Sequence, residues 1–92
     1  MPAEPAKPYT VKILPSAQRD LDDLDPHVFG QIAQKLQALA IIPRPHGGLK
    51  LTAEEGYRLR VGAYRVLYRV DDHARVVFVY RVKHRRDAYR RH

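Results

Sequence analysis

Residues 57–70 read Tyr-Arg-Leu-Arg-Val-Gly-Ala-Tyr-Arg-Val-Leu-Tyr-Arg-Val. Apolar and basic residues alternate on both sides of Gly62-Ala63. That alternation is the period-2 signature of a strand with one buried face. A two-residue connection with Gly first suits a type II′ turn, so the stretch predicts a hairpin, Tyr57 to Val61 and Tyr64 to Val70. The turn fixes register, and register fixes faces. Val61 should oppose Tyr64, Arg60 oppose Arg65, Leu59 oppose Val66 and Arg58 oppose Leu67. Tyr57, Leu59, Val61, Tyr64, Val66, Tyr68 and Val70 then form the core face. Arg58, Arg60, Arg65, Leu67 and Arg69 form the other. Like charges opposed on a sheet are destabilising. An anion between Arg60 and Arg65 would relieve them, because guanidinium forks take phosphate oxygens in pairs. The spacing predicts a phosphate site centred on Arg60, Arg65 and Arg81.

Working outward, Asp71 to Arg75 reads as a reversal and Val76 to Lys83 as a third strand. Both faces of that strand are partly apolar. The register placing Val76, Phe78, Tyr80 and Val82 in the core is preferred, since the other buries Arg81 without a partner. Upstream, Tyr9 to Leu14 is a β-prone stretch between prolines. Ser16 is a candidate N-cap for a short helix through Leu24. Asp25-Pro26 supplies a second N-cap with Pro at the first helical position. Val28, Phe29, Ile32, Leu36, Leu39 and Ala40 recur at helical spacing until Pro43. Leu49 to Leu51 is a possible short extended piece. The expected fold is α+β: an N-terminal strand, two helices on one face of a mainly antiparallel sheet, and a short C-terminal helix or tail from His84. Residues 1–8, with Pro2, Pro5 and Pro8, read as a disordered leader, and 9–92 as a single domain.

The chain has 92 residues, 17 Lys+Arg, 10 Asp+Glu and no Cys. That length allows one domain. Without Cys there is no disulfide, thiolate metal site or Cys nucleophile, and a reducing cytoplasm fits. No apolar run approaches the ~18 residues of a membrane span. His27, His46, His73 and His92 share no metal-ligand spacing, and no phosphate loop is present, so neither metal nor cofactor is expected. Six basic and seven acidic groups lie in residues 1–56, against eleven and three in 57–92. The whole +7 excess therefore sits in the last 36 residues. Such asymmetry points to a polyanionic partner.

The run from Tyr57 to Asp72, the β-run Arg75 to Val82 and the ending Lys83-His-Arg-Arg-Asp-Ala-Tyr-Arg together resemble the RelE/ParE superfamily of bacterial toxin–antitoxin toxins. Ala17-Gln-Arg-Asp-Leu resembles its first helix, and the similarity covers about residues 8–91. The resemblance implies one of two activities. RelE toxins enter the ribosomal A site and cut mRNA; ParE toxins share the fold and inhibit DNA gyrase. It also implies a cognate antitoxin, expected to be acidic and to wrap the toxin. Carried over by position, the Arg of the family's middle-strand "YR" is Arg65. The basic pair of the preceding strand falls on Arg58 and Arg60, the Arg after the last strand on Arg85, and the C-terminal Tyr on Tyr89. Two features depart from the RelE pattern: the pair are arginines where RelE has lysines, and the stretch before Tyr89 is shorter.

The implied chemistry is attack of the RNA 2′-OH on the adjacent phosphate. Arg65 and Arg85 suit charge stabilisation, with Arg60 beside them, and Tyr89 suits stacking or orientation. Arginine scarcely deprotonates, so a general base is sought among His84, Lys83 and Lys50. Arg58, Arg69, Arg81, Lys83 and Lys50 join Arg60 as candidate RNA contacts.

Overall fold

The computed structural model describes residues 8–44, 48–50 and 56–86. Its elements follow in the order β1 (Thr10–Ile13), α1 (Pro15–Asp22), α2 (Pro26–Ile41), β2 (Gly48–Lys50), β3 (Tyr57–Val61), β4 (Tyr64–Asp71) and β5 (Val76–His84). The five strands form one sheet in the order β1-β5-β4-β3-β2. Only the β1–β5 pair, at one end, is parallel among these neighbours; β5–β4, β4–β3 and β3–β2 are antiparallel.

The hairpin is as its sequence dictates. Gly62 takes φ +58° and Ala63 does not turn positive, as a Gly-first turn requires. Arg60 lies opposite Arg65, and Leu59 opposite Val66. Leu59, Val61, Val66 and Tyr68 are buried.

β5 corrects the expected faces. Val77 and Val79 are buried, while Phe78 and Tyr80 are half-exposed. The cause is a bulge. Tyr68 pairs with Val79 and Leu67 with Arg81, so Tyr80 is an extra residue on β5. Beyond it the alternation changes phase, and Val82 returns to the core. Val76 to Val79 are all apolar or aromatic, so alternation could not choose their face.

Both helices pack on the core face. Asp25 caps α2, its Oδ1 accepting from the Val28 N–H at 3.0 Å, with Pro26 at the first position. Ile32, Leu36 and Leu39 are buried, and the Tyr9 N–H donates to the Ala40 carbonyl at 2.7 Å, fastening the helix end to β1. Phe29, expected in the apolar stripe, is 43% exposed. α1 begins two residues earlier than expected and ends at Asp22. Its N-cap is Leu14, without a side-chain bond. Ser16 instead donates its hydroxyl to the Tyr80 carbonyl at 2.6 Å. That carbonyl needs a partner because β1 is too short to pair with β5 beyond Val79. α1 runs along this uncovered edge, and the Asp20 carboxylate accepts from the Val82 N–H at 2.8 Å.

The leader expected over 1–8 lies outside the described residues apart from Pro8, as do Leu51, Tyr89 and the tail from residue 87. No helix among the described residues is long and apolar enough to cross a membrane.

Candidate nucleic-acid interface

Opposite the helices, the sheet shows its second face. Register places Arg60, Arg65 and Lys83 in one row across β3, β4 and β5. Neighbouring strands lie about 5 Å apart, so three cations stand side by side. At an effective dielectric of about 20, two unit charges 5 Å apart repel by about 3 kcal/mol, before the heads splay and salt screens them. A phosphodiester laid along the row brings negative charge to all three cations. The next row holds Arg58, Leu67 and Arg81, and the one beyond it Arg69 with Phe78.

Arg85 follows directly on β5. Its backbone N–H donates to the Ala63 carbonyl at 2.6 Å, which fastens it beside the hairpin turn at the end of the cation row. Its side chain is exposed. Arg60 is also exposed, and Arg65 and Lys83 are half-buried.

Other candidates are placed differently. Arg81 is engaged by α1: its Nε and Nη2 donate to the two Asp20 oxygens at 2.8 and 3.2 Å. It therefore supports the helix as well as standing on the basic face. His84 sits opposite Tyr64, on the helix-packed face and away from Arg65 and Lys83. Its ring meets that of Tyr64 edge-on at 5.0 Å, and its Nδ1 accepts from the Arg86 N–H at 3.0 Å. Arg69 lies over the Tyr80 ring, 5.5 Å from its centroid. Lys50 pairs through its backbone with Tyr57, at the far end of β3 from Arg60. Tyr89 lies outside the described residues. The sequence thus brings Arg60, Arg65, Lys83 and Arg85 to one end and leaves His84 and Lys50 apart from them.

Sequence reasoning did not find Asp20, whose role depends on an edge left open by the shortness of β1. Nor did it find the network at the opposite end of the sheet. There Arg44 forms a bidentate pair with Asp72 at 2.8 and 3.0 Å and donates its Nε to the Tyr57 hydroxyl at 2.7 Å. The Tyr9 hydroxyl donates to Asp72 at 2.6 Å. These donors, Arg44 first and Tyr9 second, hold the Asp72 carboxyl down at about 2. The same bonds push Arg44 and Tyr9 upward, Tyr9 first through its bond to Asp72. Tyr57 stacks on Tyr68 at 5.6 Å, and burial pushes the Tyr68 phenol up to about 12. Among the described residues no group of three or more His, Asp or Glu is arranged to hold a metal ion.

Comparison with known proteins places these features. A model of the ParE toxin of type II toxin–antitoxin systems matches residues 11–89. Toxin RelG of Mycobacterium tuberculosis is 37% identical over 86 residues, covering 91% of this chain and 99% of that protein. The RelBE2 toxin–antitoxin complex from M. tuberculosis contains a chain with TM-score 0.76 and 35% identity, covering 84% of this chain and 98% of that one. An archaeal RelE–RelB complex from Pyrococcus horikoshii gives 0.73 at 28% identity, over 84% and 94%. A variant of E. coli toxin RelE in the free state gives 0.72 at 28%, over 88% and 87%.

Proposed function

The chain belongs to the RelE/ParE superfamily and is a toxin of the type II toxin–antitoxin class, and from that premise we propose that it cuts mRNA on the ribosome. The observation that carries this is the cation row Arg60–Arg65–Lys83, closed at one end by Arg85. RNA supplies its own nucleophile. The 2′-oxygen attacks the adjacent phosphorus, its proton passes to a base, and the bond to the 5′-oxygen breaks. That oxygen then takes a proton. The products are a 2′,3′-cyclic phosphate and a 5′-hydroxyl. The negative charge that grows on the phosphoryl oxygens falls between Arg65 and Arg85, where fixed donors act without reorganisation. Arg60 and Arg58 hold the flanking backbone in line. Lysine can carry a transferable proton where arginine scarcely deprotonates, and Lys83 is in register with Arg65. Lys83 is therefore assigned the proton transfer, in preference to His84 on the opposite face. Tyr89 keeps the orienting role the family resemblance suggests.

The partner we assign is a cognate antitoxin, as in the RelE–RelB complexes of the similar structures. An acidic chain ordering on this basic surface would neutralise the row.

The test is a defined translation reaction with mRNA 5′ ends mapped by primer extension. New ends should appear only with ribosomes and vanish for Arg65→Ala/Arg85→Ala. If that folded variant still cuts, the site is wrong. A second reading, gyrase inhibition by protein binding, is favoured by the ParE family match and by arginines in place of lysines at 58 and 60. Intact mRNA with loss of gyrase supercoiling would select it.

A further inference from the structure

At the end of the sheet opposite the cation row lies a cavity of about 540 Å³, walled by Arg69, Asp71, Phe78, Tyr57, Arg44 and Asp72. That volume is in the range of small-molecule sites. Its composition says what it would take. Asp72 and Arg44 are spent on each other, on Tyr9 and on Tyr57, so they form a rigid wall. Two carboxylates offset the two guanidiniums, so the cavity does not select a bare anion. The aromatic surface of Phe78 suits a flat ring, whereas the Tyr57 ring is already engaged by Tyr68 and by the Arg44 guanidinium, 5.3 Å from its centroid. Asp71 uses Oδ1 to accept from the Ala74 N–H at 2.9 Å, leaving acceptor capacity on its carboxylate. A planar ring with adjacent N–H donors on one edge matches these groups. Among nucleobases that is guanine, whose Watson–Crick edge carries N1–H beside the N2 amino group.

The cavity is also continuous with the proposed RNA path. Arg65, Arg69 and Asp71 share one strand and one face, and Phe78 pairs with Arg69 across to β5. Four residues of strand separate Arg65 from Arg69, about 13 Å at ~3.3 Å each. A short run of single-stranded RNA can therefore lay a phosphate on the cation row and a base in the cavity.

We propose that this cavity is a base-binding subsite selective for an unpaired guanine, stacked on Phe78 and read by Asp71. The proposal rests on the RNA-cleavage reading for its purpose, though not for its measurement. Phosphate contacts position a nucleic acid and base contacts specify it, so the subsite would give the toxin a sequence preference that the row alone cannot.

The test is a titration of the ¹⁵N-labelled full chain with 5′-GMP, 5′-CMP and inorganic phosphate, read from amide shifts. GMP should move Arg69, Val70, Asp71 and Phe78 in a saturable way, well below the concentrations at which CMP or phosphate does so. Asp71→Asn keeps an oxygen for the Ala74 cap but loses one acceptor. It should weaken GMP by about fivefold or more and bring GMP and CMP close together. Equal shifts with all three probes overturn the subsite. So do shifts confined to Arg60, Arg65 and Lys83, or an Asp71→Asn variant that binds GMP as the parent does. Cleavage enters none of these readouts. An active nuclease whose cavity ignores GMP refutes the subsite alone, and GMP held by a protein that cuts no mRNA refutes the nuclease alone.

Discussion

Arg60→Gln should make the free protein more stable while making it a poorer anion binder. In the free protein Arg60 stands directly opposite Arg65, which has Lys83 on its other side. The substitution removes one like-charge contact from the row and keeps the stem of the side chain. Direct Coulomb repulsion at this spacing is a few kcal/mol at an intermediate dielectric. Arg60 is exposed, so most of that is screened and the head group can swing away. What survives should be comparable in size to other cross-strand side-chain pair energies, about 0.2–1 kcal/mol. For a domain of this length, about 0.5 kcal/mol corresponds to ~2–4 °C in the thermal midpoint. The assay is thermal denaturation followed by circular dichroism at low salt, repeated near ~1 M salt, where the screening length falls to about 3 Å. The gain should be present at low salt and vanish at high salt. Added phosphate should stabilise the parent more than the variant, because the anion relieves a strain that the variant no longer has. A lower midpoint for Arg60→Gln, or a gain that persists in high salt, would refute the account of the row.

Three further outcomes follow from the fold. Tyr68 is fully buried, and its hydroxyl finds no hydrogen-bond partner among the described residues; Tyr68→Phe should raise the thermal midpoint, by up to ~1 kcal/mol in denaturant titration. Asp20→Ala strips the acceptor from the Val82 N–H and from Arg81, and should cost about 1–3 kcal/mol in the same titration. Asp72 titrates lower in the folded chain than unfolded, so its contribution is present above the ordinary carboxylate value of ~3.9 and is lost as pH falls toward 2; Asp72→Asn should lower the midpoint at neutral pH, and its gap from the parent should close between about pH 4 and pH 2.

What could be read in the sequence was what local chemistry decides. Gly62-Ala63 between two alternating runs set the hairpin register to the residue, and Asp25-Pro26 set the start of α2. The pairing of Arg60 with Arg65 followed, but the third member of the row did not: Lys83 stands level with Arg65, and Arg81, expected there, lies one row away and is bound by Asp20. The parts that could not be read depend on chain segments meeting from a distance. Nothing local to Ser16 says that a carbonyl of β5 will compete for its hydroxyl, or that Asp20 will meet the Val82 N–H. Arg44 and Asp72 are 28 residues apart and join only once α2, β3 and the β4–β5 turn are in place. His84 looked attractive from its ring chemistry, but one step of strand alternation puts it behind the sheet.

The bulge at Tyr80 ties these observations together. A regular ladder running from Asp71–Val76 would set Val66 against Arg81 and Tyr64 against Lys83. Both cations would then point into the helix-packed layer, where an unpaired charge is prohibitively costly. One extra residue shifts the alternation, so that Val77 and Val79 fill the core at one end and Val82 at the other. Arg81 and Lys83 then turn outward, and Lys83 comes level with Arg65. β1 stops pairing at Val79, one residue before the irregularity, and α1 takes over the edge through Ser16 and Asp20. The two backbone groups bound there, the Tyr80 carbonyl and the Val82 N–H, flank Arg81. The helix therefore fastens the bulge itself, and with it the phase on which the cation row depends. The short first strand, the helix beside it and the charged row on the far face all meet at one irregularity in β5.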